Sequence, residues 1–316
     1  MALPILIKSK LEKYFTQPPC LNVVLYLSSH YLSGLHLSSK ERKIKNYFIS
    51  SLQEGVIKPS FNQKNIKNEN WLKEGLKQGI AKLNLSDKKA ACLIPELSLK
   101  AFVFSFNSLP LAKEEREELI RFRVRKQMAL MPNDVRFSYD VIKSNSSQKL
   151  VVAMARASVI KEYEDLLAPL GLKVRAVNSP LFGLFNLSHK EKNGDYLVVN
   201  IESDSLGLLA VTSSEVSLYR QKPFDLNLES KLDYEVKIDD IIKEIENTAN
   251  FIEDKERKKI NFILLRLGLS ERREELLTVL KDKLSLPLKM ADVPSLTHLK
   301  QEERHFLSPL AGQIQC

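Results

Sequence analysis

Two segments of this chain carry the same order of apolar runs and turns. Val23 to Leu37 reads VVLYLSSHYLSGLHL, and Leu197 to Val211 reads LVVNIESDSLGLLAV. Each is an apolar run of strand length, a short polar turn and a second apolar run, which is a β-hairpin signal. Each hairpin opens one half of a longer pattern in which strands alternate with helices. Such alternation argues for α/β layering, here as two similar halves around a cleft.

The first half continues with a strand in IKNYFISSL and a polar loop from Gly55 to Asn70. A helix follows over Trp71 to Leu83, with Leu72, Leu76, Ile80 and Leu83 on one face. From Ala90, ACLIPE and KAFVFSFNSL read as strands, the second alternating Phe102, Phe104 and Phe106. A helix from about Ala112 to Leu130 puts Ile120, Val124 and Met128 on one stripe. Its acidic opening and its basic end (Arg121, Arg123, Arg125, Lys126) complement the helix dipole. VRFSYDVIK and KLVVAMAR are strands joined by the turn Ser144 to Ser147, and SVIKEYEDLLAPLG is a helix capped at Gly171. The second half shows the strand VSLYRQKPF, the polar stretch DLNLESKLDYEVK and the helix DDIIKEIENTANFIEDKE. INFILLRLG, SERREELLTVLKDKL and PLKMADV then read as strand, helix and strand.

Composition bounds the function classes. At 316 residues and 44% hydrophobic, the chain has enough apolar content for two cores. No apolar stretch reaches the ~18 residues of a membrane span. Residues 1 to 20 form a leader that ends in Gln17-Pro18-Pro19, a stiff spacer; it has no secretory cleavage pattern. The leader's readings are a frayed terminus or a short amphipathic contact with a membrane or partner. Cys20, Cys92 and Cys316 lie far apart, and neither they nor the five histidines have metal-ligand spacing. The net charge of +9 is concentrated in the first hundred residues, with roughly 16 Lys and Arg against 7 Asp and Glu. The lysines there are spaced as on a solvated helix face, and no aromatic–basic stacking motif of a nucleic-acid reader appears.

The segment from Ala90 to Phe185 resembles the PilM family of type IV pilus assembly proteins, which are actin-like and related to the division protein FtsA. The resemblance is carried by Leu109-Pro110, Ile120-Arg121-Phe122, Met131-Pro132 and Ser138-Tyr139-Asp140, in the family's order of elements. It extends weakly from about Asn22 to Ala311. It implies an actin-like (RNase H-like) two-domain α/β fold. The first domain would cover residues 21–190, with a small inserted α+β subdomain at about 90–155. The second would cover residues 194–316, with its helical roof reduced near 224–238.

The departures fall on the family's nucleotide motifs. Where actin-like ATPases carry Asp-x-Gly, the first hairpin has Tyr26-Leu27-Ser28, and the polar position after the turn falls at Ser33. Tyr26 cannot replace a carboxylate that orients metal-bound water, and Ser28 crowds the backbone approach to phosphate. The second hairpin has Asn200-Ile201-Glu202, which removes one carboxylate and adds another facing the expected triphosphate. A like-charge pair at ~4 Å costs about 4 kcal/mol at an effective dielectric of ~20. The Gly-Gly turn beside adenine corresponds to Leu265-Arg266-Leu267-Gly268, where one glycine remains. The expectation is a pseudo-ATPase that binds neither ATP nor magnesium.

Other readings of these residues stand beside that one. Asp195, Glu202 and Asp204 are a metal set or solvated turn formers. His30 and His36 are acid–base candidates without a paired nucleophile. Arg121, Phe122 and Arg125 are the candidate partner contacts on the Ala112–Leu130 helix. The resemblance implies a non-catalytic cytoplasmic scaffold, peripheral to the inner membrane and touching lipid only indirectly. It would bind the cytoplasmic tail of a PilN-type bitopic membrane protein in a groove between the first domain and its inserted subdomain. It would also meet other inner-membrane components of the pilus machine. The alternatives are a GspL-like type II secretion component, a nucleotide-binding actin-like ATPase, and a nucleic-acid module with steeply salt-dependent binding.

Overall fold

A computed structural model describes residues 21–38, 43–85, 87–128, 130–143, 148–188, 194–226, 231–269, 271–291, 293, 296 and 299–313. The leader, Cys20, Cys316 and the Ser144–Ser147 turn lie outside the described residues.

The same sheet is built twice. In the first lobe β1 (Val23–Leu27), β2 (Tyr31–Leu37) and β3 (Ile44–Ser51) form an antiparallel meander. Helix α1 (Glu69–Leu83) then leads to β4 (Lys89–Leu93), which lies parallel to β1, and β8 (Lys173–Asn178) lies parallel to β4. In the second lobe β9 (Tyr196–Ile201), β10 (Ser205–Thr212) and β11 (Glu215–Pro223) repeat the meander. Helix α5 (Lys231–Glu256), β12 (Phe262–Leu267), α6 (Arg273–Lys283) and β13 (Leu288–Met290) then repeat the parallel crossovers. The resulting strand orders, 3-2-1-4-8 and 11-10-9-12-13, are equivalent.

Both central strands are covered on both faces, which is why their sequences read as continuous apolar runs. Val23, Leu25 and Leu27 join the core under α1, while Val24 and Tyr26 face the opposite way, toward Leu307 and Leu310. Likewise Tyr196 and Val198 share the first core, while Leu197, Val199 and Ile201 pack beneath α5 and α6.

Between β4 and β8 the chain builds β5 (Lys100–Phe106), α2 (Lys113–Gln127), β6 (Val135–Lys143), β7 (Gln148–Arg156) and α3 (Ala157–Leu167). Strands β5, β7 and β6 form a separate antiparallel sheet, covered by Ile120 and Val124 of α2. The 90–155 expectation therefore placed β4 on the wrong side of a boundary, because β4 belongs to the large first sheet.

Three further expectations need correction. Helix α5 starts at Lys231, so residues read as a polar stretch form its first turns. Two helices were not anticipated: α4 (Pro180–Ser188), which links the lobes, and α7 (Gln301–Gln313). Although α7 falls within the segment assigned to the second domain, its Leu307, Leu310 and Ala311 pack on the first sheet. Helices α4 and α7 cross at closest approach, since a Cβ on Gly183 would overlap the Pro309 carbonyl and one on Gly312 would overlap the Gly183 carbonyl.

Candidate functional site

The two opening hairpins meet turn to turn across the interlobe cleft. Both close identically, with Ser28 N–H donating to Tyr31 O at 3.0 Å and Glu202 N–H donating to Ser205 O at 2.9 Å. The two-residue loops, Ser29-His30 and Ser203-Asp204, then touch directly through Ser203 Oγ and His30 Nδ1 at 2.6 Å.

Behind this contact lies a buried polar cluster. Arg266 and Glu202 form an ion pair at 1% and 3% side-chain exposure. Tyr26 donates its hydroxyl to Glu202 Oε1 at 2.9 Å, and Tyr31 donates to the same oxygen at 3.3 Å. The guanidinium also donates from Nη2 to Tyr31 Oη, and from Nη1 to Asn200 Oδ1 at 2.9 Å. Burial pushes the Glu202 carboxyl above its ordinary range, and Arg266 pulls it back down. Burial, with Glu202 beside them, keeps both tyrosines protonated. The rings are held edge to face, Tyr26 on Tyr31 at 5.4 Å and Tyr31 on Phe306 of α7 at 4.7 Å.

Strand parity explains how these groups converge. Asn200 and Arg266 are register partners on the parallel strands β9 and β12, so their side chains share one face, and Glu202 lies two residues beyond Asn200. Gly268 is required here by close approach, because a Cβ would overlap both Arg266 and Glu202. The fourth guanidinium contact comes from α7. Arg266 Nε donates to the His305 carbonyl at 2.8 Å. That carbonyl is available because Pro309, four residues on, has no N–H to claim it.

This geometry corrects one element of the sequence reading. Glu202 is not a free charge aimed into the cleft; its partner Arg266 neutralises it, so the like-charge estimate does not apply. Packed side chains fill the contact between the two hairpins. The other expected positions contribute in different ways. Ser28 is buried in the turn, and Ser33 on β2 donates to the Phe306 carbonyl at 3.3 Å. Asp195 lies at the opposite end of β9 from Glu202, accepting from Ser213 N–H at 2.6 Å, so Asp195, Glu202 and Asp204 are not gathered. His36 is buried beside the Leu83 carbonyl at 2.9 Å.

A second buried carboxylate joins the lobes. Glu96 accepts from Leu181 N–H in the first turn of α4 at 2.7 Å and from the Tyr219 hydroxyl on β11. Burial raises its pKa to about 7, partly offset by those hydrogen bonds.

One open concavity, of about 500 Å³, adjoins the cluster and is lined by His30, Tyr31, Arg272, Arg273, His305 and Phe306; another lies between the large first sheet and the small sheet. The latter is a groove of about 530 Å³ walled by residues 174–178 of β8 and by Arg136, Phe137 and Ser138 of β6. Both walls are edge strands of their sheets. Ile94, Leu99, Met154 and Ile160 contribute apolar surface. Arg121, Phe122 and Arg125 do not line this groove. Arg121 stacks on the Phe137 ring at 4.8 Å behind the β6 wall, and Phe122, 54% exposed, faces away from the helix stripe with Lys126 over its ring at 4.6 Å.

The duplicated sheets, the hairpin pair across the cleft and the crossing helices define an actin-like fold. No family model matches the chain, and no curated protein matches it in sequence. Among solved structures, the chain is similar to one from a PilM–PilN type IV pilus biogenesis complex, with a TM-score of 0.74 and 16% identity, covering 94% of this chain and 98% of that one. A Bacteroides thetaiotaomicron protein with an actin-like ATPase fold matches at a TM-score of 0.50 and 14% identity, covering 87% and 92%. The cytoplasmic domain of EpsL, an inner membrane component of the type II secretion system of Vibrio cholerae, matches at 0.50 and 11%, covering 91% and 93%. At these identities the likeness is one of fold. No helix among the described residues is long and apolar enough to cross a membrane.

Proposed function

We propose that this chain is a non-catalytic, actin-like scaffold at the cytoplasmic face of the inner membrane, in a type IV pilus assembly machine. It takes the cytoplasmic tail of a PilN-type bitopic membrane protein into the groove between β8 and β6, and that tail brings it to the membrane. The observation that carries this reading is that the groove runs between two strand edges while the hairpins meet through packed side chains. The contact between the hairpins is filled by Tyr26, Tyr31, Glu202 and Arg266, with a concavity of about 500 Å³ to one side of it, whereas the groove of about 530 Å³ is flanked by two strand edges. An extended peptide adds to such an edge through main-chain hydrogen bonds, with alternate side chains entering the groove.

The cluster also argues for a pseudo-ATPase. A triphosphate between these hairpins has to displace a satisfied buried ion pair, and removing one partner of such a pair costs about 3–5 kcal/mol. A micromolar ligand has about 8 kcal/mol in total. Titration calorimetry with Mg-ATP is expected to give no saturable heat at millimolar nucleotide, and saturable binding refutes the pseudo-ATPase. Synthetic tails of bitopic inner-membrane proteins encoded beside this chain are expected to bind at micromolar concentration, with affinity lost in Ser138→Trp. Absence of binding by every tail refutes the scaffold role. The EpsL likeness favours a second reading, a GspL-like role in type II secretion. Which machine supplies the binding tail separates the two.

A further inference from the structure

We propose that the groove is occupied, when no partner is present, by this chain's own first residues. Leu3, Ile5 and Ile7 would enter it as part of a strand added to the edge of β8. The inference rests on the reading of the groove as a site for extended peptides.

Four observations support it. Leu21, the first described residue, itself lines the groove, so the leader departs from the groove wall. Thirteen residues, 8 to 20, separate Ile7 from Leu21. At ~3.3 Å each they span up to ~40 Å, about twice the ~20 Å of a six-residue wall such as β8. The leader therefore has the length to turn back along the strand it leaves. The segment Ala2-Leu-Pro-Ile-Leu-Ile7 places Leu3, Ile5 and Ile7 on one strand face. If those three residues face β8 in the hydrogen-bonding direction, Pro4 falls at an outward position, where its missing N–H is not needed. Finally, residues 2–7 bring no charged side chain to a lining whose charged residues are Arg136, Glu164 and Arg175. Arg136 and Glu164 at the groove already form an ion pair at 3.6 Å, and the leader's Lys8 and Lys10 come only after the apolar segment.

The leader would thus compete with a partner tail, and an occupied groove lowers apparent affinity by the fraction of chains left open. The test uses the full chain and a fluorescent peptide of residues 1–13. Ile5→Asp should unseat the leader and bind this peptide at least about tenfold more tightly than the wild type. Adding Ser138→Trp, at an exposed position of the β6 wall, should abolish that binding while the circular dichroism spectrum stays unchanged. Hydrogen exchange should show the amides of residues 2–7 protected in the wild type and unprotected in Ser138→Trp. Failure of the peptide to bind Ile5→Asp overturns the inference. So does protection that grows with protein concentration, which marks the leader of a second copy, and so does protection that appears only with phosphatidylglycerol vesicles. Panning displayed 12-residue peptides on Ile5→Asp distinguishes this failure from that of the groove itself. Ser138→Trp-sensitive binders leave the groove reading standing without its leader, and their absence removes both.

Discussion

Arg266→Met tests the interlobe cluster most directly. The substitution roughly keeps side-chain volume but leaves Glu202, 3% exposed, without its cation. Two tyrosyl hydroxyls still donate to that carboxylate, so it is not stripped of hydrogen bonds. The His305 carbonyl keeps a weak contact from Ser308 Oγ at 3.2 Å, but Asn200 Oδ1 loses its donor. Breaking a buried pair from one side costs about 3–5 kcal/mol. Spread over a chain of this size, that lowers Tm by about 5–8 °C. Glu202→Met alone should be at least as damaging, because it strands a buried guanidinium and removes the acceptor of both tyrosines. The double variant Glu202→Met/Arg266→Met removes both charges together, and its loss should be at least ~2 kcal/mol smaller than the sum of the singles. Urea and thermal unfolding followed by circular dichroism, across the four proteins, complete the cycle. An Arg266→Met protein within 1 kcal/mol of the wild type refutes the argument, as does a strictly additive double variant.

Other outcomes follow from groups placed between the lobes. The Glu96 pKa of about 7 lies above its unfolded value, so the native state binds the extra proton and stability falls as pH rises from about 4.5 to 7. Glu96→Gln should flatten that slope and be more stable than the wild type at pH 8 by up to about 3 kcal/mol, measured by urea midpoints at several pH values. The His305 pKa has the opposite effect: burial, with Arg266 and Arg273 nearby, lowers it to about 3. The unfolded state then takes up a proton first, and stability present above pH 6.5 is lost as pH falls toward 3. His305→Gln should reduce that acid sensitivity in the same titration. Gly312→Ala should lower Tm by several degrees, because its Cβ overlaps the Gly183 carbonyl and forces α4 and α7 apart.

Much of the framework was legible because single elements declare themselves locally. The hairpins showed as paired apolar runs, α1 showed its Leu72–Leu76 stripe, and Gly171 takes the left-handed conformation, φ 80°, that its position suggested. What escaped depends on distant partners. Helix α4, PLFGLFNLS, is apolar around most of its circumference, so it has no amphipathic period to read. Helix α7 carries Pro309 in its interior, which argues against a helix unless a neighbour uses the freed carbonyl, as Arg266 does. The Glu202–Arg266 pair spans 64 positions, and a charge read in isolation looks like an obstacle to phosphate rather than half of a bridge. A usable signal did exist: once β9 and β12 are taken as adjacent parallel strands, Asn200, Glu202 and Arg266 share a parity.

The packed hairpin contact has a consequence for the groove some distance away. The small sheet that supplies the β6 wall is also tied to the second lobe. Lys149 of β7 reaches Glu215 at 3.8 Å and Glu256 at 3.6 Å, and Gln221 of β11 donates to the Leu99 carbonyl at 2.8 Å. A cleft that opens and closes around a nucleotide would pull on these ties and move one groove wall against the other. On the proposed function, hairpins held together by this cluster would keep the β6 and β8 edges at one spacing, which suits lasting capture of a tail more than a cycle of binding and release. Loosening the cluster should therefore weaken peptide binding even though no cluster residue lines the groove. In Arg266→Met, tail affinity should fall several-fold at temperatures where the chain is still folded, whereas Glu202→Met/Arg266→Met should recover part of it. Unchanged affinity in a folded Arg266→Met protein means that the two sites are mechanically separate.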